Sequence, residues 1–120
     1  MSKPLDENFS KIIRQIIQKS LFTERQIEII LKRKNLADYQ FTISKGAFYR
    51  QVTQSKEKLI ALCYSWILLK GLGVFTDEDI DVINRLSEQV SVIKNSDVFP
   101  EREKEVMFVI QELLNRTCEL

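Results

Sequence analysis

Residues 44–73 read SKGAFYRQVTQSKEKLIALCYSWILLKGLG. Ser44 is the kind of residue that caps a helix N-terminus, because its hydroxyl can accept from a free first-turn N–H. Behind it, Phe48, Val52, Ser55, Leu59, Leu62 and Trp66 recur at steps of four and three, which places them on one helical face. Beyond Lys58 the pattern changes: Leu59 to Leu69 is apolar nearly all round, interrupted only by Ser65. A helix that is apolar on every side is buried on every side, so this segment reads as the central pillar of the fold or as part of a subunit interface. Gly71 and Gly73 supply its C-terminal stop. One long helix with a two-sided first half and an all-round apolar second half therefore organises the chain.

Upstream, Asp6 to Lys19 reads as a helix with Phe9, Ile12, Ile13, Ile16 and Ile17 on one face. Thr23 is the N-cap expected for a helix over Glu24 to Lys34. Glu24 suits its positive end and Lys32, Arg33 and Lys34 its negative end. The apolar stripe of that helix is Ile27, Ile30 and Leu31, with Ile29 at its flank. Asn35 to Ile43 has no helical period and reads as a connection, at most one short turn of helix, pinned to the core by Tyr39 and Phe41. Downstream, Thr76 with Asp79 forms a capping box for a helix whose stripe is Ile80, Ile83, Leu86, Val90 and Ile93, stopped at Asn95-Ser96. Pro100 sits at a first-turn position. The last helix runs to about Arg116 with Val106, Val109, Ile110, Leu113 and Leu114 inward. The expected fold is all-α: a single compact domain of about five helices, with a helix-turn-helix-like N-terminal part, a long central helix and two C-terminal helices.

Composition supports this. A chain of 120 residues with 44% apolar residues can bury a core without disulfide or metal, and 3 Gly with 2 Pro leave little for turn-rich β structure. The formal charge of +1 conceals an asymmetry. Residues 1–59 form a basic part; cut at residue 60, the first half holds 12 Lys/Arg against 6 Asp/Glu and the second 6 against 11. That pattern suggests a nucleic-acid-facing end joined to an acidic helical part, residues 60–120, available for dimerisation. A solvated surface of uneven charge is the plain alternative.

The stretch FTERQIEIILKRK (residues 22–34) followed by ISKGAFYRQVTQSKEKL (residues 43–59) resembles the helix-turn-helix of sigma-factor region 4, LuxR-type regulators and archaeal Tfx-like regulators. In those families a T-E-R-Q opening begins a scaffold helix, an I-S-x-G-x-x-x-R segment begins the recognition helix, and a K-L pair such as Lys58-Leu59 closes it. They also fit a complete helix between the positions of Gln26 and Ser44. Here Asn35 to Ile43 is several residues too short for one, so the alternative three-helix unit is Asp6–Lys19, Glu24–Lys34 and the helix from Lys45.

The residues of that helix make the same case physically. With Phe48 inward, 100° steps turn Gly46, Tyr49, Arg50, Thr53, Gln54 and Glu57 outward. Arg50 could pair bidentately with guanine and Gln54 with adenine; Tyr49 and Thr53 suit a phosphate or a thymine methyl. Ser44 and the free first-turn N–H groups suit a phosphate. Gly46 allows close backbone approach, Lys45 and Lys56 flank the surface, and Lys32, Arg33 and Lys34 could add backbone contacts. Each of these is also compatible with an ordinary solvated helix face.

Other chemistry is excluded residue by residue. The absence of histidine removes Ser-His-Asp and Cys-His catalysis. Cys63 and Cys118 do not form a C-x-x-C pair and read as reduced thiols. Asp77, Glu78, Asp79 and Asp81 lack the spacing of a calcium loop. The expectation is a non-enzymatic cytoplasmic protein that binds double-stranded DNA as a homodimer, a transcription regulator with no cofactor, no metal, no small-molecule ligand and no membrane contact. The competing expectation is a helical protein-interaction module, or a small subunit of a larger complex, that does not bind DNA.

Overall fold

A computed structural model describes residues 9–94 and 100–120. Among them are five helices and no strand: α1 (Lys11–Lys19), α2 (Glu24–Arg33), α3 (Lys45–Gly71), α4 (Asp77–Ile93) and α5 (Pro100–Thr117). The expected start of α1 at Asp6 lies outside the described residues. The helix begins at Lys11, because Ser10 is its N-cap and accepts from Ile13 N at 3.3 Å. The expected stop at Asn95-Ser96 lies outside the described residues.

The core is centred on α1 and α2. Ile12, Ile13 and Ile17 of α1 are buried with Ile29 of α2 and Tyr39 of the connection. The expected stripe of α2 is displaced: Ile27, Ile30 and Leu31 are half-buried, and Ile29, expected at the flank, is only 1% exposed. The cause is placement. α2 packs against α1 on one side and α3 on the other, so two neighbours, not one stripe, define its buried sector. Gln26 and Glu28 are buried there too.

Both ends of α2 are fixed locally. Thr23 and Gln26 form a reciprocal capping box, Gln26 N donating to Thr23 Oγ1 at 3.2 Å and Thr23 N donating to Gln26 Oε1 at 3.0 Å. At the other end Asn35 takes φ 60°. Leu36 N then reaches Leu31 O at 2.8 Å and Asn35 N reaches Lys32 O at 3.0 Å, the paired bonds of a Schellman stop. The connection that follows is irregular and held by rings, as its composition predicts. Phe9, Tyr39, Phe41, Phe48 and Tyr49 form a chain with successive centroids 6.2, 6.3, 5.7 and 5.6 Å apart.

Ser44 caps α3, accepting from Ala47 N at 3.1 Å. At 27 residues α3 is about 40 Å long. Its first half lies on α2. Its second half is not a buried pillar within this chain: Ile60 is 46% exposed, Tyr64 71%, Ile67 66% and Leu68 57%. The reason is length. α2, with 10 residues, spans about 15 Å and can support only the first half of α3. The chain then stops at a second Schellman turn, with Gly73 at φ 80° and Val74 N on Leu69 O at 2.9 Å. It folds back with Trp66 against Phe75, and α4 and α5 go on to pack on each other and on α1.

The α4 capping box is formed as expected, Asp79 N donating to Thr76 Oγ1 and Thr76 N to Asp79 Oδ2. α4 and α5 close a groove lined by Leu86, Val90, Ile93, Val106, Val109 and Ile110. Val109 is nevertheless 52% exposed rather than inward. Ser10 N on Lys94 O at 3.1 Å and Gln15 Nε2 on Glu103 Oε1 at 2.6 Å tie the pair to α1. None of the helices is long and apolar enough to cross a membrane, among the residues described.

Candidate nucleic-acid interface

The first half of α3 is positioned by its inward face. Phe48 and Val52 are half-buried, Ser55 is 2% exposed, and Leu59 is half-buried. Phe48 packs at a tilt against Phe41 of the connection. Lys58 adds an anchor, its ammonium donating to Leu21 O at 2.7 Å and to Gln26 Oε1 at 2.8 Å. Lys58 therefore joins α3 to the turn before α2 and to the residue that closes the α2 capping box. Sequence reading assigned Lys58 only a place in a K-L pair; its partners lie 37 and 32 residues away, beyond any local pattern.

With that face inward, the opposite face is presented. Lys45, Gly46, Tyr49, Arg50, Thr53, Gln54, Lys56 and Glu57 are all exposed. Lys45, Arg50 and Lys56 make no ion pair or side-chain hydrogen bond among the described residues. Arg50 and Gln54 are one turn apart, about 6 Å along the axis. A Cβ on Gly46 would meet nothing within 4 Å, so glycine there answers no demand of this fold. Ser44 Oγ is engaged as the cap acceptor of Ala47 N–H.

The lysine–arginine run at the end of α2 divides. Lys32 is turned inward: its ammonium donates to Tyr39 O, lies 3.9 Å from Asp38 Oδ1 and sits over the Phe41 ring. It fastens the connection. Arg33 and Lys34 remain exposed. They meet Lys56 around a cleft of about 210 Å³ between α2 and α3, floored by Ile29, Ile30, Val52 and Leu59. The structure therefore brings Arg33, Lys34 and Lys56 together beside the outward face of α3 and takes Lys32 out of it.

Behind this surface is a buried polar layer. Glu28 is 2% exposed, 3.6 Å from Arg25 Nε, and its Oε2 accepts no hydrogen bond among the described residues. Burial, then the Glu24 charge, raises its pKa above the usual carboxylate range, against the lowering pull of Arg25 and Arg14. Burial first, with Glu28 and Glu24 adding, pushes the Tyr39 phenol up to about 12. These groups lie in the α1–α2–connection unit and not on the outward face of α3. Comparison of the chain with protein-family models, curated proteins and solved structures finds no match.

Proposed function

We propose that this chain is a DNA-binding protein, a non-enzymatic cytoplasmic transcription regulator that reads duplex DNA as a homodimer through the first half of α3. One observation carries the reading: a helix start packed on its inward side through Phe48 and tied by Lys58 exposes Lys45, Gly46, Tyr49, Arg50, Thr53 and Gln54 together. The N-terminal end of such a helix is what enters a major groove. Arg50 and Gln54 would meet base edges, and Arg33, Lys34, Lys45 and Lys56 the flanking phosphates. Lys32 acts on the fold instead. The acidic α4 and α5 face away, since like charge repels phosphate.

The test is a gel-shift series on duplex DNA. Affinity is expected to fall steeply with salt as counterions are released. In Arg50→Ala, specificity is expected to relax at one base position, whereas a uniform loss across sequences would make Arg50 a phosphate contact. Absence of binding at ~50 mM salt refutes the proposal. Unchanged binding in the Arg50→Ala, Gln54→Ala double variant removes α3 as the reader. A second reading, a protein-interaction module without DNA binding, draws on the exposed apolar second half of α3, and the same series separates the two.

A further inference from the structure

Among the described residues the second half of α3 is largely uncovered, with Trp66 meeting Phe75 of the turn that follows. From Leu59 to Leu69 it carries no charged residue, and α3 packs on α2 but on neither α4 nor α5. Ile60, Leu62, Tyr64, Trp66, Ile67, Leu68, Leu72 and Val74 are 36% to 71% exposed. They ring the helix: at 100° per residue Leu68 and Leu72 lie opposite Cys63, whereas Ile60, Tyr64, Trp66 and Ile67 lie on its side. Weighted by ordinary residue areas, those four present roughly 500 Å², so two copies would bury about the 1,000 Å² that a specific interface must clear.

We infer that this surface is the seam of a two-fold homodimer, in which the second half of α3 crosses the same segment of a second copy antiparallel, with the axis at Cys63. This rests on the homodimer in the proposed function and names its interface. Three features favour a second copy over another partner. The stretch is uncharged throughout, so self-pairing buries no charge; Lys58 and Lys70 lie just beyond its two ends, and the Lys58 ammonium is already held by Leu21 and Gln26. The area on the Cys63 side alone reaches the lower bound for a specific interface, about 1,000 Å² in total. Finally, Leu59, Cys63 and Ile67 form one i, i+4 row beside Ile60 and Tyr64, and these five line a groove of about 340 Å³ on one face of α3. Such rows interdigitate with their own copy at about 50°. Two-fold symmetry about Cys63 sets Leu59 against the partner's Ile67 and leaves the smallest side chain of the row at the crossing, where the backbones are closest. Cys63 and Cys118 are both free thiols.

The experiment uses the full chain without DNA. Sedimentation is expected to give a dimer at micromolar concentration. Ile67→Glu, which places two like charges in the seam, is expected to weaken dimerisation at least ~100-fold with the helical circular dichroism retained, because Ile67 is exposed in the single chain. In a Cys118→Ser background, mild oxidation is expected to yield a dimer linked through Cys63, abolished by Cys63→Ser. A monomer at all concentrations overturns the inference. So does a dimer that survives Ile67→Glu but is broken by Val109→Glu in the α4–α5 groove, and so does a dimer that does not cross-link through Cys63. A dimer with these properties that fails to bind DNA leaves the seam standing and refutes only the DNA reading.

Discussion

Replacing Lys58 with methionine isolates the contact that orients α3. The substitution keeps most of the aliphatic stem and removes the ammonium, and with it the hydrogen bonds to Leu21 O at 2.7 Å and Gln26 Oε1 at 2.8 Å. A hydrogen bond from a charged donor is worth about 1.5–3 kcal/mol when shielded. The Leu21 bond is exposed and lies at or below the bottom of that range. The Gln26 bond is partly buried and shares its acceptor with Thr23 N. Together they set the expected loss at about 2 kcal/mol, roughly 6–10 °C in Tm at this size. Urea unfolding at one fixed protein concentration measures it, so that dimer dissociation does not confound the comparison. A double-mutant cycle with Gln26→Ala then isolates the pair, with an expected coupling of about 1 kcal/mol. A Lys58→Met protein within ~0.5 kcal/mol of the parent would refute the claim that this ammonium holds α3 on α2.

Three substitutions test the layers around the site. The folded chain holds the Tyr39 proton up to about pH 12 where a free phenol loses it near 10.0; the stabilisation is therefore complete below pH 10 and lost as pH rises toward 12. Tyr39→Phe should remove about 1.4 kcal/mol of the stability lost between pH 9 and pH 11, read as the difference between two urea series, and identical pH profiles would contradict the buried phenol. Gly73→Ala, at φ 80°, should cost about 1 kcal/mol in thermal unfolding. Gly46→Ala, in open helical backbone, should stabilise by about 0.5–1 kcal/mol while lowering DNA affinity; unchanged affinity would show that DNA does not approach the backbone there.

The parts legible in the sequence are those whose physics is local. The Thr23, Ser44 and Thr76 caps depend on residues within three positions, and each forms where its neighbours require it. The outward set on α3 follows from a 100° step and one inward ring, Phe48. What was not legible depends on distant chain. Glu28, between two isoleucines, is buried because α1 and α3 close over both sides of α2. Lys32 reads as a dipole partner or phosphate contact; the return of Asp38, Tyr39 and Phe41 captures it. For Leu59 to Leu69 the sequence left two outcomes open, a pillar inside the fold or an interface. The deciding quantity was the 10-residue length of α2, which supports only the first half of α3.

The two halves of α3 make one further quantity computable. Arg50 lies 13 residues before Cys63, about 20 Å along the helix. If two copies cross antiparallel at Cys63 at about 50° with axes 8–10 Å apart, the two Arg50 backbones are about 36 Å apart. Successive major grooves on one face of B-DNA are separated by about 34–36 Å. A dimer built on this seam therefore presents its two reading ends at the spacing of adjacent grooves without bending either component. Selection from a random duplex library should then return inverted half-sites centred about 10–10.5 base pairs apart. Inserting half a helical turn between them should abolish the gain of the second half-site by placing it on the opposite face. Direct repeats, or a single half-site bound as tightly as the pair, would refute this arrangement while leaving the reading face of α3 to be judged by Arg50 and Gln54.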